Sequence, residues 1–180
     1  NLGAVEGTTH WVMNGTPMVV DEELVILTHP SMILAFQNQP DQASILWRTE
    51  PNDGVNGFPS VRLDGDGNIE IGLPGCTDGF RCVDPKTGEK KWTVTDLDNQ
   101  VSNCVTIDIN RDGIEEFIYG SGTQLKAVAR RPDQDSLIVW QIDLPCIIDQ
   151  VVVADVDGDA MAEILVGGRD GKLYCIKQSI

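Results

Sequence analysis

Two short stretches of the sequence place oxygen-bearing side chains at every second position between apolar runs. The later stretch reads DVDGDAMAE and the earlier one reads DINRDGIEE, so both follow the pattern D-x-[DN]-x-D-x-x-x-E. Such side chains in a tight turn converge on one point, and Ca²⁺ prefers about six to eight oxygen ligands. The pattern predicts two Ca²⁺ sites, with the ligands Asp108, Asn110, Asp112 and Glu116 in one and Asp155, Asp157, Asp159 and Glu163 in the other.

A third turn, RLDGDGNIE, is a weaker candidate because Arg62 takes its first acidic position. Asp64 and Asp66 remain as candidate metal ligands there. The Arg62 guanidinium could instead replace the metal by pairing with those two acids. A simpler alternative applies to all three turns: they hold no metal, and their side chains cap their own backbone.

These turns lie inside a repeat of short strands. Trp47, Trp92 and Trp140 recur at intervals of about 45 residues. Each follows the same series of an apolar strand, a turn, a second strand ending in Gly or Pro, another turn and a third strand. Runs of β-branched residues separated by Gly, Asp, Asn and Pro are typical of strands and hairpins. Four strands in about 45 residues is the size of a propeller blade.

The sequence therefore predicts an all-β fold, a small β-propeller of four four-stranded blades in a single domain over 1–180. The predicted blades cover about 15–52, 53–98, 99–144 and 145–180, the last together with 1–14. The last repeat has no fourth strand of its own, and the N-terminal THWVMN, with Trp11, is a spare one. We expect this N-terminal strand to close the last blade, so that no unpaired edge remains. The alternative is donation to a neighbouring molecule, which would build a homo-oligomer or a filament.

The charge of the chain excludes one class of partner. Thirteen basic residues stand against 28 acidic ones, giving a net charge of −15. Nucleic acid requires a basic face, so no nucleic-acid partner is expected. No apolar run is long enough to span a bilayer, so no membrane insertion is expected.

The five cysteines allow two interpretations. GCTDGFRC brackets a turn, so a disulfide bond between Cys76 and Cys82 could cross a hairpin, and Cys104 and Cys146 could form a second pair. Alternatively, all five are small buried apolar side chains. None has the spacing of a zinc site.

The acidic turns carry a resemblance to a known repeat family. DINRDGIEEFIYG and DVDGDAMAEILVGG resemble FG-GAP/VCBS-type repeats, the calcium-loop blades of integrin α-subunit propellers. DGFRCVDPKTGEKKW and RDGKLYCI are also similar to the pyrroloquinoline-quinone-type propeller repeat. The resemblance implies Ca²⁺ binding and a secreted, extracellular or cell-surface protein. This sequence departs from the family at Arg62 and at Ala160, where the loop usually has Gly.

The expected function is a non-enzymatic binding or adhesion module, or a building block of a surface assembly, whose partner is a protein or a glycan. No nucleophile, zinc-protease or phosphate-loop motif is present. Two alternatives remain open. One is a part of a calcium-dependent polysaccharide lyase, which would need a base and a positively charged groove for uronic acids. The other is a glycan-binding lectin.

Overall fold

The structure is a computed structural model, and it describes residues 18–21, 24–29, 32–37, 44–50, 53–55, 58–95, 100–131 and 136–177. All regular elements in those ranges are strands. No helix that could span a membrane is found there. The strands are β1 (Met18–Asp21), β2 (Leu24–His29), β3 (Met32–Gln37), β4 (Ser44–Arg48), β5 (Ser60–Leu63), β6 (Ile69–Cys76), β7 (Gly79–Val83), β8 (Lys90–Val94), β9 (Val101–Ile107), β10 (Glu116–Ser121), β11 (Gln124–Val128), β12 (Ile138–Asp143), β13 (Ile148–Ala154), β14 (Glu163–Gly168) and β15 (Leu173–Ile176).

The strands form four antiparallel sheets that follow one another along the chain. The first three sheets contain β1–β4, β5–β8 and β9–β12, and the last contains β13–β15. Strands that are adjacent in sequence are adjacent in each sheet, so every sheet is a meander of hairpins. This confirms the predicted all-β fold of four blades. The N-terminal strand predicted to close the last blade lies outside the described residues.

The hydrophobic core lies between the blades. Three clusters of buried side chains are present in the described residues, and each joins two successive sheets. Trp47 packs on the first cluster, Trp92 belongs to the second, and Trp140 packs on the third. A Trp at the same place in successive repeats therefore contributes to packing between blades, because its large ring spans the gap between two sheets.

The first strands of successive blades lie side by side. The Cys104 amide donates to the Phe58 carbonyl at 2.9 Å. The Asn103 side chain donates to the Val151 carbonyl at 2.7 Å and accepts from the Val151 amide at 2.8 Å. The β5–β6, β9–β10 and β13–β14 hairpin turns, which are the three acidic turns, therefore lie at the same edge of neighbouring blades.

The predicted Cys76–Cys82 disulfide bond is wrong. All five cysteines are free thiols. Cys76 belongs to the cluster between the first and second blades, whereas Cys82 belongs to the cluster between the second and third. The two side chains therefore face opposite sides of the same sheet. Cys104 and Cys146 are also unpaired and buried, so the small-hydrophobe interpretation holds for these four.

The thiols should differ sharply in reactivity. Burial raises the pKa of Cys76 to about 12 and also raises the pKa values of Cys82 and Cys104. Cys175 is exposed. We expect iodoacetamide at pH 8 to modify Cys175 alone in the folded protein and all five thiols after unfolding without reductant, because only a thiolate reacts. Intact-mass spectrometry would count the adducts.

A Cys175→Ser variant is the control and should take up no label while folded. Fast native labelling of Cys76 would contradict the burial of that thiol. Fewer than five adducts on the unfolded wild-type chain would restore the disulfide prediction.

Candidate functional site

Each acidic turn ends at a buried Glu at the start of the second strand of its blade. Glu116 is the first residue of β10, Glu163 is the first of β14, and Glu70 is the second residue of β6. All three are almost completely buried. Burying a carboxylate is costly unless it is hydrogen-bonded and paired with a cation. The partners of these three carboxylates therefore decide what each turn can bind.

In the turn of the last blade, the predicted ligands come together. One carboxylate oxygen of each of Asp155, Asp157 and Asp159 lies within 4.8 Å of the others. The Asp155 carboxylate accepts hydrogen bonds from the Gly158 amide at 2.7 Å and the Ala160 amide at 2.9 Å. Ala160 has a φ of 64°, a left-handed conformation that usually favours Gly. The residues at the same place in the other two turns are both glycines with positive φ, Gly67 and Gly113.

Glu163 completes this group. Its Oε2 accepts a hydrogen bond from the Val156 amide at 3.0 Å. Its Oε1 is buried and has no hydrogen-bond partner in the described part of the chain. Lys177 Nζ lies 3.7 Å from that oxygen, contacts Asp157 and lies 2.7 Å from an Asp159 carboxylate oxygen. The Lys177 hydrogen bond holds the pKa of Asp159 below its usual range.

In the turn of the third blade, an arginine lies among the predicted ligands. The Asp108 carboxylate accepts from the backbone amides of the turn, and Asn110 Nδ2 donates to Asp112 at 3.2 Å. Arg131 Nη1 lies 2.7 Å from Asp112, and its Nη2 donates to Glu116. Burial raises the pKa of Glu116, although the hydrogen bonds from the Ile109 amide and from the guanidinium oppose this shift. Two of the four predicted ligands are therefore already paired with a buried guanidinium.

In the turn of the second blade, the predicted pairing of Arg62 is wrong. Arg62 donates from Nε and Nη2 to Glu70 Oε2, at 2.9 and 2.7 Å, rather than to Asp64 or Asp66. The reason is the sheet register, which places Arg62 directly opposite Glu70 across β5 and β6. Lys91 lies 2.8 Å from the other oxygen of Glu70 and 3.5 Å from Asp64.

The Asp64 and Asp66 side chains differ in their contacts within this turn. Asp64 accepts from the amides of Asp66 and Asn68. Burial acts to raise the pKa of Asp64, but the hydrogen bonds from Asn68 and Asp66 lower it below its usual value. Asp66 is exposed. Asp64 therefore caps the backbone of its own turn, and the prediction that Asp64 and Asp66 bind a metal stays a prediction.

The same buried Glu thus faces a side-chain cation in all three turns, but the cation comes from three different places. Arg62 belongs to the first strand of its blade. Arg131 lies three residues after the end of the third strand of its blade, and Lys177 lies one residue after the end of the third strand of its own blade. Sequence reasoning missed Arg131 and Lys177. The available signal was a basic residue shortly after the third strand in the same two repeats whose turns are most acidic.

Comparison with known proteins supports the fold. No protein-family model and no curated protein matches the chain. Among solved structures, the chain is similar to the WD40 β-propeller domain of Doa1 (TM-score 0.64, 18% identity, 91% of this chain and 50% of that one). It is also similar to BBS1N in complex with ARL6DN (0.62, 13%, 94% and 52%). A third similar structure is the V. cholerae biofilm matrix protein Bap1 (0.56, 21%, 87% and 27%).

The chain spans about half the length of the first two of these structures. At these identities the similarity indicates the fold alone. Together with the four meander sheets, it identifies the architecture of this chain as that of a β-propeller.

Proposed function

We propose that this β-propeller is a non-enzymatic binding module whose last blade holds Ca²⁺ in the turn formed by Asp155, Asp157, Asp159 and Glu163. The observation that carries the proposal is the buried Glu163 oxygen without a hydrogen-bond partner, next to three converging carboxylates. A buried acceptor without a hydrogen bond is costly, and the Lys177 ammonium group, 3.7 Å away, does not form one. A divalent cation would give it a partner and relieve the repulsion among the acids.

Lys177 is a replaceable counter-ion in this turn. Its side chain is 44% exposed, and its ion pairs with Asp157 and Asp159 lie at the surface. Exposed pairs contribute little to stability, so the ammonium group can turn into solvent when a metal enters. In the third blade, by contrast, Arg131 is buried. The site predicted there stays a prediction, and we expect it to bind Ca²⁺ more weakly than the last blade.

Calcium titration with Asp159→Asn tests this proposal. The Asn side chain can still accept from the Met161 amide, but it removes one charge from the site. We expect calorimetry to show a decrease in Ca²⁺ affinity of at least tenfold, and Lys177→Gln to increase the affinity because the competing cation is gone. At one hundred times Kd, Ca²⁺ should stabilise the wild type by about 2.7 kcal/mol, and thermal denaturation would record this.

Asp112→Asn is the matched control, because Asp112 occupies the same position in the third turn. It should have a smaller effect on the affinity than Asp159→Asn. If the wild type does not bind Ca²⁺ at millimolar concentration, or if Asp159→Asn leaves the affinity unchanged, the proposed metal site is absent.

For the binding partner, we propose a protein or a glycan at the cell surface or outside the cell. Loops between rigid blades can vary without disturbing the core, so propeller edges suit recognition. BBS1N, which shares the fold, is seen in complex with ARL6DN, and this supports a protein partner. Pull-down of surface proteins and a glycan array, each with and without EDTA, would separate the two classes of partner and test the dependence on Ca²⁺.

A further inference from the structure

A cavity of about 750 Å³ lies between the second and third blades, apart from the turn of the last blade. Its walls come from the acidic turns of the second and third blades, the beginning of β8 and the chain that follows β11. The lining side chains used below are Asp66, Asn68, Lys91, Trp92, Arg130 and Arg131. Cavities of about 300–1,000 Å³ are typical of sites for small ligands.

Two side chains that line the cavity carry a buried donor without an acceptor. Trp92 Nε1 and Arg131 Nε form no hydrogen bond within the part of the chain that the structure describes. Trp92 is 5% exposed and Arg131 is 8% exposed. Folded proteins leave few buried polar groups unpaired, and each one is costly. Both side chains line the cavity, and an acceptor that reached their N–H groups would remove this cost.

The junction between the first and second blades is closed, in the sense that the indole N–H of its Trp is hydrogen-bonded across the junction. There, the Trp47 indole donates to the Pro85 carbonyl at 2.8 Å, and Gly88 of the same turn lies against the Trp47 ring. Pro85 lies two positions after the end of β7 in the second blade. The equivalent position of the third blade, two positions after the end of β11, is occupied by Arg130. No carbonyl of the described chain reaches Trp92 in the same way, and the cavity lies at this junction.

The charges around the cavity suit a ligand that carries both a carboxylate and hydroxyl groups. Four of the thirteen basic residues of the chain line it, opposite four carboxylates, so its lining is neutral in a chain of net charge −15. Arg130 and Asp66 are exposed at the rim, and neither forms an ion pair with any residue that the structure describes. An unpaired cation and an unpaired carboxylate on the lining of the same cavity offer one site for an anionic oxygen and another for a hydroxyl donor.

We infer that this cavity binds an acidic sugar. Its carboxylate meets Arg130, Lys91 and the two buried N–H groups, and its hydroxyl groups donate to Asp66 and to the Asn68 side-chain oxygen. An acidic peptide side chain would supply the carboxylate but no hydroxyl groups for Asp66. The inference rests on the proposed binding role of the propeller, and it does not depend on Ca²⁺.

Titration of the ¹⁵N-labelled protein with methyl glucuronide and with methyl glucoside tests this assignment, because the two probes differ only at C6, which is a carboxylate in the first and a hydroxymethyl group in the second. We expect the glucuronide to bind at least tenfold more tightly, and increasing salt to weaken it because the rim is open to solvent. The Trp92 indole N–H resonance should shift, whereas the Trp47 resonance should not, since its N–H is already bonded to Pro85. Single Trp→Phe variants would assign the resonances.

Arg130→Gln should weaken glucuronide binding by at least tenfold, because a charge-assisted hydrogen bond is lost. Lys86→Gln is the matched control: it removes an exposed cation that does not line the cavity, and it should change the affinity less than twofold. Equal binding of the two sugars, wild-type affinity in Arg130→Gln, or an unshifted Trp92 resonance would each overturn the inference. Tighter binding of a glutamate-rich peptide would assign the cavity to a protein partner instead.

The same titration in EDTA separates this inference from the proposed metal site. The cavity lies between the second and third blades, so glucuronide binding should persist when Ca²⁺ is removed. Failure of the calcium titration would leave this result unchanged. Loss of glucuronide binding in EDTA would show that the sugar is held through a metal ion and would overturn the assignment to the cavity.

Discussion

Replacing Arg62 with Met is expected to lower the free energy of unfolding by about 3 kcal/mol, the lower end of the usual cost of breaking a buried ion pair from one side, because Lys91 still lies 2.8 Å from the other Glu70 oxygen. The change leaves Glu70 buried without the guanidinium that bonds it twice. It also removes the donor to the Glu115 carbonyl at 2.5 Å and the cation from above the Phe117 ring, at 4.9 Å. In a domain of this size, such a loss lowers Tm by roughly 10 °C, which thermal and urea denaturation would record.

Arg169→Met is the matched control, because Arg169 and Asp149 form an ion pair with both side chains about half exposed. It should cost less than about 1 kcal/mol. The double change Arg62→Met with Glu70→Leu should recover much of the stability, because neither charge is then left buried. If Arg62→Met costs no more than Arg169→Met, the guanidinium does not hold this turn.

The second large effect is expected from Gly88→Ala, which should lower the free energy of unfolding by about 2–5 kcal/mol. Gly88 has a φ of 71°, and an added Cβ would lie 2.6 Å from Cδ2 of the Trp47 ring. Left-handed backbone costs a non-Gly residue about 1–2 kcal/mol, and overpacking a filled site adds about 1–3 kcal/mol. Urea denaturation of the variant and the wild type would give the difference.

Gly67→Ala separates these two contributions. Gly67 has a φ of 79°, but no atom lies within 4 Å of an added Cβ. Gly67→Ala should therefore cost only the backbone strain, about 1–2 kcal/mol. In a Trp47→Ala background, the extra cost of Gly88→Ala should disappear, as a double-mutant cycle would show. Equal costs for the two glycines in the wild-type background would mean that Trp47 does not pack against the turn.

The junctions between successive blades differ in whether the indole N–H of the Trp is hydrogen-bonded. Trp47 closes the junction between the first and second blades through Pro85 and Gly88. At the next junction, Trp92 has no such partner in the described chain. A stable, closed junction and an open one with unpaired donors are therefore adjacent in the same molecule. This contrast supports a binding role for the open junction, since packing alone would favour closing both.

The sequence by itself determined the strands, their order and the acidic turns. Alternating β-branched residues and Gly- or Asp-rich turns specify hairpins locally. The D-x-[DN]-x-D-x-x-x-E spacing correctly placed Glu116 and Glu163 at the beginning of β10 and β14. A turn and its flanking strands are specified by backbone preferences and hydrogen bonds between residues that are close in sequence, so the sequence alone reveals them.

Only the tertiary structure decided which cation faces each buried Glu and which cysteines lie on the same face of a sheet. It also decided which Trp indole N–H is hydrogen-bonded. Arg62, Arg131 and Lys177 reach equivalent carboxylates from unlike places in the repeat, so no common spacing reveals them. Cys76 and Cys82 bracket one turn but face different blades. These outcomes depend on how sheets stack on one another, and the free energy of burial that governs stacking acts between residues far apart in the chain.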